Sequence, residues 1–156
     1  MANDGRLMAG ICGLYCGTCP NYLAARQGDL EQLKTIAAAN SMNVADVGCD
    51  GCLSDRVMPF CVECKNGFRR CAEDKGVTWC FECTEFPCER LRNFTKMHIV
   101  DGMLHHARVI DDLQYMKEQG VDKWIEGQEK AGRCPECGKR LYWFVRECPG
   151  CHARIR

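Results

Sequence analysis

The chain has 156 residues, 21 basic against 21 acidic side chains, and 15 cysteines. That length gives one ordinary domain or two very small ones with a modest core. The zero formal charge speaks against a general polyanion binder, and no window approaches the roughly 18 apolar residues of a membrane-spanning helix.

Close to one residue in ten is cysteine, a density that signals a disulfide or metal framework. The stretch "MANDGRLMAGIC" has no basic region followed by a long apolar run, so no secretory signal is expected. Residues 7–12 are similar to a lipoprotein box, but Ile11 stands where a small residue should precede the cysteine. The expectation is a cytoplasmic protein with no membrane association, whose reduced thiols bind metal rather than pair.

In chain order, "CGLYCGTCP" places Cys12, Cys16 and Cys19 at C-x3-C-x2-C. At helical spacing the three sulfurs fall near one face; in a loop, Gly13 and Gly17 let the chain wrap an ion. Pro20 follows as a helix N1 residue, and the positive end of that helix favours thiolate. The same spacing occurs in radical S-adenosylmethionine enzymes, but 156 residues cannot build their barrel and no alternating strand–helix pattern is present. "NYLAARQ" reads as a short helix broken by Gly28. Asp29 opens a second helix with Gln32 at capping-box spacing and an apolar stripe of Leu30, Leu33, Ile36 and Ala37.

Residues 48–90 lose periodicity and become cysteine punctuation, which predicts knuckles, loops and brief helices. Cys49, Cys52, Cys61 and Cys64 form C-x2-C-x8-C-x2-C, one four-thiolate set. Cys71, Cys80, Cys83 and Cys88 offer another, leaving Cys12, Cys16 and Cys19 as a group of three in one of many possible partitions. Its fourth ligand is expected to be a histidine, a cysteine from the 49–88 region or solvent; any reactivity is expected here, against the favoured reading of a fourth ligand from elsewhere and no reactivity. A helix is predicted through residues 96–119, where Ile99, Met103, Ala107, Ile110 and Leu113 repeat at helical spacing and Gly120 supplies the stop. It carries His98 and His105 on one face and His106 turned about 100° away. These are candidates for the missing fourth ligand, against the plain reading of solvated histidines. Asp111, Asp112 and Glu129 read as solvated helix positions. "VDKWIEGQEKAG" is a short amphipathic helix leading to a linker.

The last unit holds the strongest motif. Cys134, Cys137, Cys148 and Cys151 form C-x2-C-x10-C-x2-C, two knuckles that aim four thiolates at one ion. Between them "KRLYWFVRE" reads as a hairpin strand, and Gly138 and Gly150 suit the knuckles. About 25 residues bury too little core to fold without metal. The unit is locally basic, and Tyr142, Trp143 and Phe144 among its basic residues, with Arg156 at its end, offer base stacking. The favoured reading has these aromatics covering the metal, so nucleic acid is the weaker alternative and an unspecified protein the expected partner. His152 is expected to hydrogen-bond nearby rather than ligate.

Together "CGLYCGTCPNY", "GCDGC", "CVEC", "RRCAEDKG" and "CFECTEFPCERL" resemble a cysteine-rich domain-of-unknown-function family of bacteria and archaea, over roughly residues 10–95. The resemblance implies a small metal-binding cytoplasmic protein of no assigned activity, marked here by the eleven cysteines from Cys12 to Cys88 and by Pro20, Gly51 and Pro87.

The expected fold class is a small metal-stabilised α+β protein. Its mostly helical, knuckle-rich N-terminal domain spans residues 1–95, a helical segment packing on it spans 96–131, and a β-hairpin zinc ribbon spans 132–156. All fifteen cysteines are expected to ligate about three to four zinc ions, with an iron–sulfur cluster in the N-terminal domain as the alternative cofactor. A structural, partner-recognising multi-zinc protein is the leading reading, and a redox or open-zinc enzyme using Cys12, Cys16 and Cys19 is the alternative. No Walker loop, dinucleotide-binding glycine motif or nucleophile elbow stands in the chain, and no catalytic residue is singled out.

Overall fold

The computed structural model describes residues 5–100, 102–143 and 145–155; Phe144 and Arg156 lie outside them. After a single 3-10 turn, Gly5–Met8, the chain makes a tight loop. Gly10 N–H donates to Leu14 O at 2.8 Å, and Ala9 bridges Tyr15. Cys12 sits in this loop, Cys16 opens a 3-10 turn (Cys16–Thr18), and Cys19 precedes helix α1, Pro20–Gln27. The first cysteine group therefore takes the looped form, not the helical one.

α1 starts on Pro20, whose missing N–H is harmless in a first turn, and ends at Gly28 with φ +63. Asp29 Oδ1 then accepts from Gln32 N–H at 3.1 Å and caps α2, Leu30–Ala39. Of the expected stripe on α2, Ile36 and Ala37 are buried, whereas Leu30 is exposed. These two residues join Ala24, Val47, Cys49 and Met58 in a small core beneath the two helices.

Residues 40–95 are a run of loops and short helices: α3 (Pro59–Glu63), α4 (Phe68–Lys75) and α5 (Glu89–Phe94). The segment around a 3-10 turn, Cys80–Glu82, docks on the N-terminal loop. There Trp79 Nε1 donates to Ala9 O at 3.1 Å and Cys80 N–H to Ile11 O at 3.0 Å.

The helix expected through residues 96–119 is not continuous. Strands β1 (Ile99–Val100) and β2 (Met103–Leu104) form an antiparallel hairpin turning through Gly102, and α6 begins only at Val109–Gln119. Ile99 and Met103 face solvent, so the first half of the apparent apolar stripe lies on an exposed hairpin. Gly120, with φ +91, separates α6 from α7, Val121–Ala131.

α6 and α7 supply the centre of the main core, where Leu113, Met116 and Trp124 pack with Leu23, Leu91, Phe94, Phe68 and Tyr15. Full burial of Leu23, Leu91 and Leu113 contributes roughly 2 kcal/mol each. Asp112 and Glu129 are not merely solvated. Asp112 Oδ1 accepts from Trp124 Nε1 at 3.0 Å, and Glu129 pairs with Arg140. Among the described residues no helix is long and apolar enough to cross a membrane.

Residues 132–155 carry no strand among their described residues, contrary to the expected hairpin. Two isolated bridges, Arg133↔Arg140 and Glu147↔Arg154, each close one cysteine knuckle. The connection between them instead packs on the rest of the protein. Trp143 N–H donates to Thr18 O at 3.1 Å, and the Tyr142 hydroxyl donates to Asp29 Oδ2 at 2.6 Å. Backbone groups that a ladder would satisfy are used in docking. The whole is a small, mostly helical α+β fold with one two-stranded hairpin and a cysteine cluster near its C-terminal end.

Candidate metal centres

All fifteen cysteines are free thiols. Cys134, Cys137, Cys148 and Cys151 come within 4.8 Å of one another. Within the four, Cys134 and Cys151 sulfurs stand 3.6 Å apart, as do those of Cys137 and Cys148. A disulfide needs about 2.05 Å, whereas a tetrahedron of ~2.3 Å metal–sulfur bonds has edges of about 3.8 Å. The four thiols could therefore hold one metal ion.

Each knuckle is folded by its backbone. Cys134 N–H donates to Lys139 O and Cys148 N–H to Ala153 O, both at 2.8 Å, while Gly138 takes φ +74 to turn the first. Gly150 N–H reaches Cys148 Sγ at 3.4 Å. The Cys151 amide, followed by that of Gly150, favours the Cys148 thiolate and lowers that thiol from its usual range. Cys134 and Cys148 are buried beside Leu141, whereas Cys137 and Cys151 are exposed. His152 Nδ1 meets Glu147 Oε1 at 2.8 Å and stands outside the four, as expected.

Among the described residues, the eleven N-terminal thiols are not drawn into as tight a group as the C-terminal four. Cys71, Cys80, Cys83 and Cys88 line one small cavity with Phe68, Phe86 and Leu91. Burial pushes Cys80 up to about 12, and the charges of Cys88, Cys71 and Cys83 add to the shift. Cys12, Cys16 and Cys19 lie close enough to Cys49, Cys52, Cys61 and Cys64 for their charges to be felt. Apart from burial, Cys12 feels Cys52, Cys80 and Cys64; Cys16 feels Cys52, Cys19 and Cys49; Cys61 feels Cys49, Cys19, Cys52 and Cys64. The loop through residues 47–58 passes beside the N-terminal loop, where Leu53 N–H donates to Leu7 O at 3.4 Å, and brings the two cysteine runs near one another.

The knuckle signature recurs among them. Gly51 N–H points at Cys49 Sγ at 3.5 Å and Glu85 N–H at Cys83 Sγ at 3.4 Å, as Gly150 does at Cys148. Gly51 is required where it stands: its φ is +109, and a Cβ would lie 2.2 Å from Leu7 O. Cys64 holds φ +42, an uncommon conformation for a residue with a side chain.

Desolvation decides the protonation of this interior. It raises Cys12 and Cys16 far above the usual thiol range and Cys61 to about 12. Cys19 also rises, to about 11, although the amides of Asn21 and Tyr22 at the start of α1 favour its thiolate. The expected activation by that helix end is thus present but outweighed. Arg69 opposes the trend at Cys52, where burial dominates; its Nη1 is itself buried with no hydrogen-bond partner among the described residues. A cation at these thiols would invert the balance, because a coordinating thiol is deprotonated outright.

The histidines expected on one helix come together for another reason. The register Ile99↔Leu104 makes His98 and His105 the next cross-strand pair, and His105 N–H donates to His98 O at 3.0 Å. His106 follows at the foot of the hairpin. The three offer nitrogens within 4.8 Å of one another and form a group of their own. Spacing could not reveal this; the signal available was Gly102 between two β-branched and apolar pairs.

Fold and site together define a small, cysteine-rich α+β protein with a thiol cluster able to hold a metal ion. The chain belongs to the family described as "Protein of unknown function (DUF3795)", which it matches over residues 8–93. That segment contains the eleven N-terminal cysteines and stops short of the three histidines and the last four cysteines. No curated protein and no solved structure matches the chain.

Proposed function

We propose that this is a cytoplasmic multi-zinc protein whose ions are structural, and that it serves as a recognition module for a protein partner. The observation that carries the reading is the cage of Cys134, Cys137, Cys148 and Cys151, with sulfur pairs at 3.6 Å. Four thiolates at that spacing match a closed tetrahedral zinc site, which has no open position for chemistry. Residues 132–155 have little else to fold around, since their buried residues are Cys134, Leu141 and Cys148. The term zinc ribbon describes this unit by its paired knuckles; its connection is not a hairpin.

The remaining eleven cysteines are assigned to the other zinc ions, for a total of about three to four. A partner surface is supported by Met97, Ile99, Met103 and Leu104, four large apolar side chains exposed within one hairpin and its approach. Retaining fifteen free thiols fits a reducing compartment.

A second reading is favoured by one observation: the N-terminal thiols are spread more widely than the C-terminal four. An iron–sulfur cluster, whose ligands surround a larger body than a single ion, would suit that spread. Native mass spectrometry of anaerobically purified protein tests both readings. Three or four zinc ions per chain are expected, with one lost in Cys137→Ser; iron with labile sulfide would support the second reading instead.

A further inference from the structure

Outside the cysteine sites, the most unusual place in the molecule is the foot of the β1–β2 hairpin. His106 is the buried polar residue of the described chain, at 6% exposure. Its ring stacks on Phe94 at 3.9 Å between centroids, and the Phe94 backbone hydrogen-bonds the imidazole. Its Nδ1 is nonetheless buried with no hydrogen-bond partner among the described residues. Leaving such a nitrogen dry and unpaired costs about 1–3 kcal/mol, a cost that an apolar residue would avoid.

His105 is wedged against Trp143 at 4.1 Å between centroids, and His98 lies on the solvent side, 5.5 Å from His105 and 5.2 Å from His106. His98 holds φ +62 in doing so, a conformation that costs on the order of 1–3 kcal/mol for a residue with a Cβ. Two local penalties thus converge on three imidazoles.

We propose that His98, His105 and His106 form a metal site of their own, binding one divalent first-row transition ion of borderline softness, such as Zn2+, through three imidazole nitrogens. The nitrogens already lie within 4.8 Å of one another, and the three side chains grade from exposed through half-buried to buried. An ion therefore enters from the His98 side and ends against the Phe94–Trp143 wall. The Phe94 backbone fixes the His106 ring and leaves Nδ1 as its ligating atom, the arrangement by which ligating histidines are commonly oriented. Three imidazoles suit zinc, copper or nickel better than calcium or magnesium, and they leave a fourth position for water or an exchangeable ligand. This site differs in kind from the all-thiolate cages and lies outside the segment shared with the family.

The test is a titration of the full chain, its cysteine sites filled as purified, with Co2+. One equivalent should bind with visible ligand-field absorption and no sulfur-to-cobalt charge-transfer band, and the C–H resonances of three imidazoles should broaden. His98→Ala removes an exposed ligand and should keep the amide spectrum while weakening cobalt binding by more than about 100-fold. A thiolate charge-transfer band, no binding by the parent protein, or unchanged affinity in a folded His98→Ala variant would each overturn the proposal.

Discussion

The knuckles are decided by single residues. At Gly51 the chain turns between Cys49 and Cys52 with φ +109 and passes under Leu7 O, 2.2 Å from where a Cβ would be. Gly51→Ala combines a disfavoured backbone with a backbone clash and should cost about 3 kcal/mol in thermal or denaturant unfolding. A loss below about 0.5 kcal/mol would mean that the turn can relax. Cys137 is one of the two exposed members of a cage whose other two cysteines are buried. Cys137→Ser should release one metal equivalent and expose residues 132–155 to proteolysis while the main core stays protected. A variant with full metal content and a protected C-terminal unit would refute the cage. At this scale the sequence is informative, because two cysteines with two residues between them leave the backbone few ways to turn. It could not say which knuckles share an ion, since Cys12 meets Cys52 and Cys64 only through packing of distant loops.

At the scale of elements, the helices and their caps are well anticipated and the 96–119 segment is not. Pro20, Gly28, Asp29 and Gly120 act locally, and each stands where expected. The stripe through Ile99, Met103 and Leu113 misleads because helical spacing arises by chance when an exposed hairpin is followed by a true helix. Likewise "KRLYWFVRE" has strand-forming residues, but its backbone is drawn into contacts with Thr18 and its side chains into contact with Asp29. The Tyr142–Asp29 hydrogen bond joins the last unit to the cap of α2. Tyr142→Phe should weaken that attachment by about 1 kcal/mol, seen as faster hydrogen exchange in residues 132–143. The Tyr142 hydroxyl, before the Gln32 amide, holds the Asp29 carboxyl below its usual range. The stabilisation it brings is therefore present above the unfolded value near about 3.9 and is lost as pH falls through the folded value. In Tyr142→Phe the Asp29 carboxyl carbon should titrate closer to about 3.9; an unchanged midpoint would show that the hydroxyl does not govern it.

For the molecule as a whole, apolar packing and thiol cages divide the work of holding the fold. The core formed by Leu23, Leu91, Leu113 and Trp124 is modest, and half-buried thiols flank it on the side of residues 12–88. If cations complete those cages, removing them leaves neutral thiols in gaps shaped for ions, and chelation under reducing conditions should abolish the cooperative thermal transition. A transition unchanged after complete metal removal would show that the apolar core suffices. The identity of the metal remains the central claim, and metal and acid-labile sulfide analysis of protein purified without air tests it most directly. The account predicts a colourless protein with three to four zinc ions per chain from the cysteine sites and no labile sulfide. A brown protein holding iron and sulfide in stoichiometric amounts would contradict it.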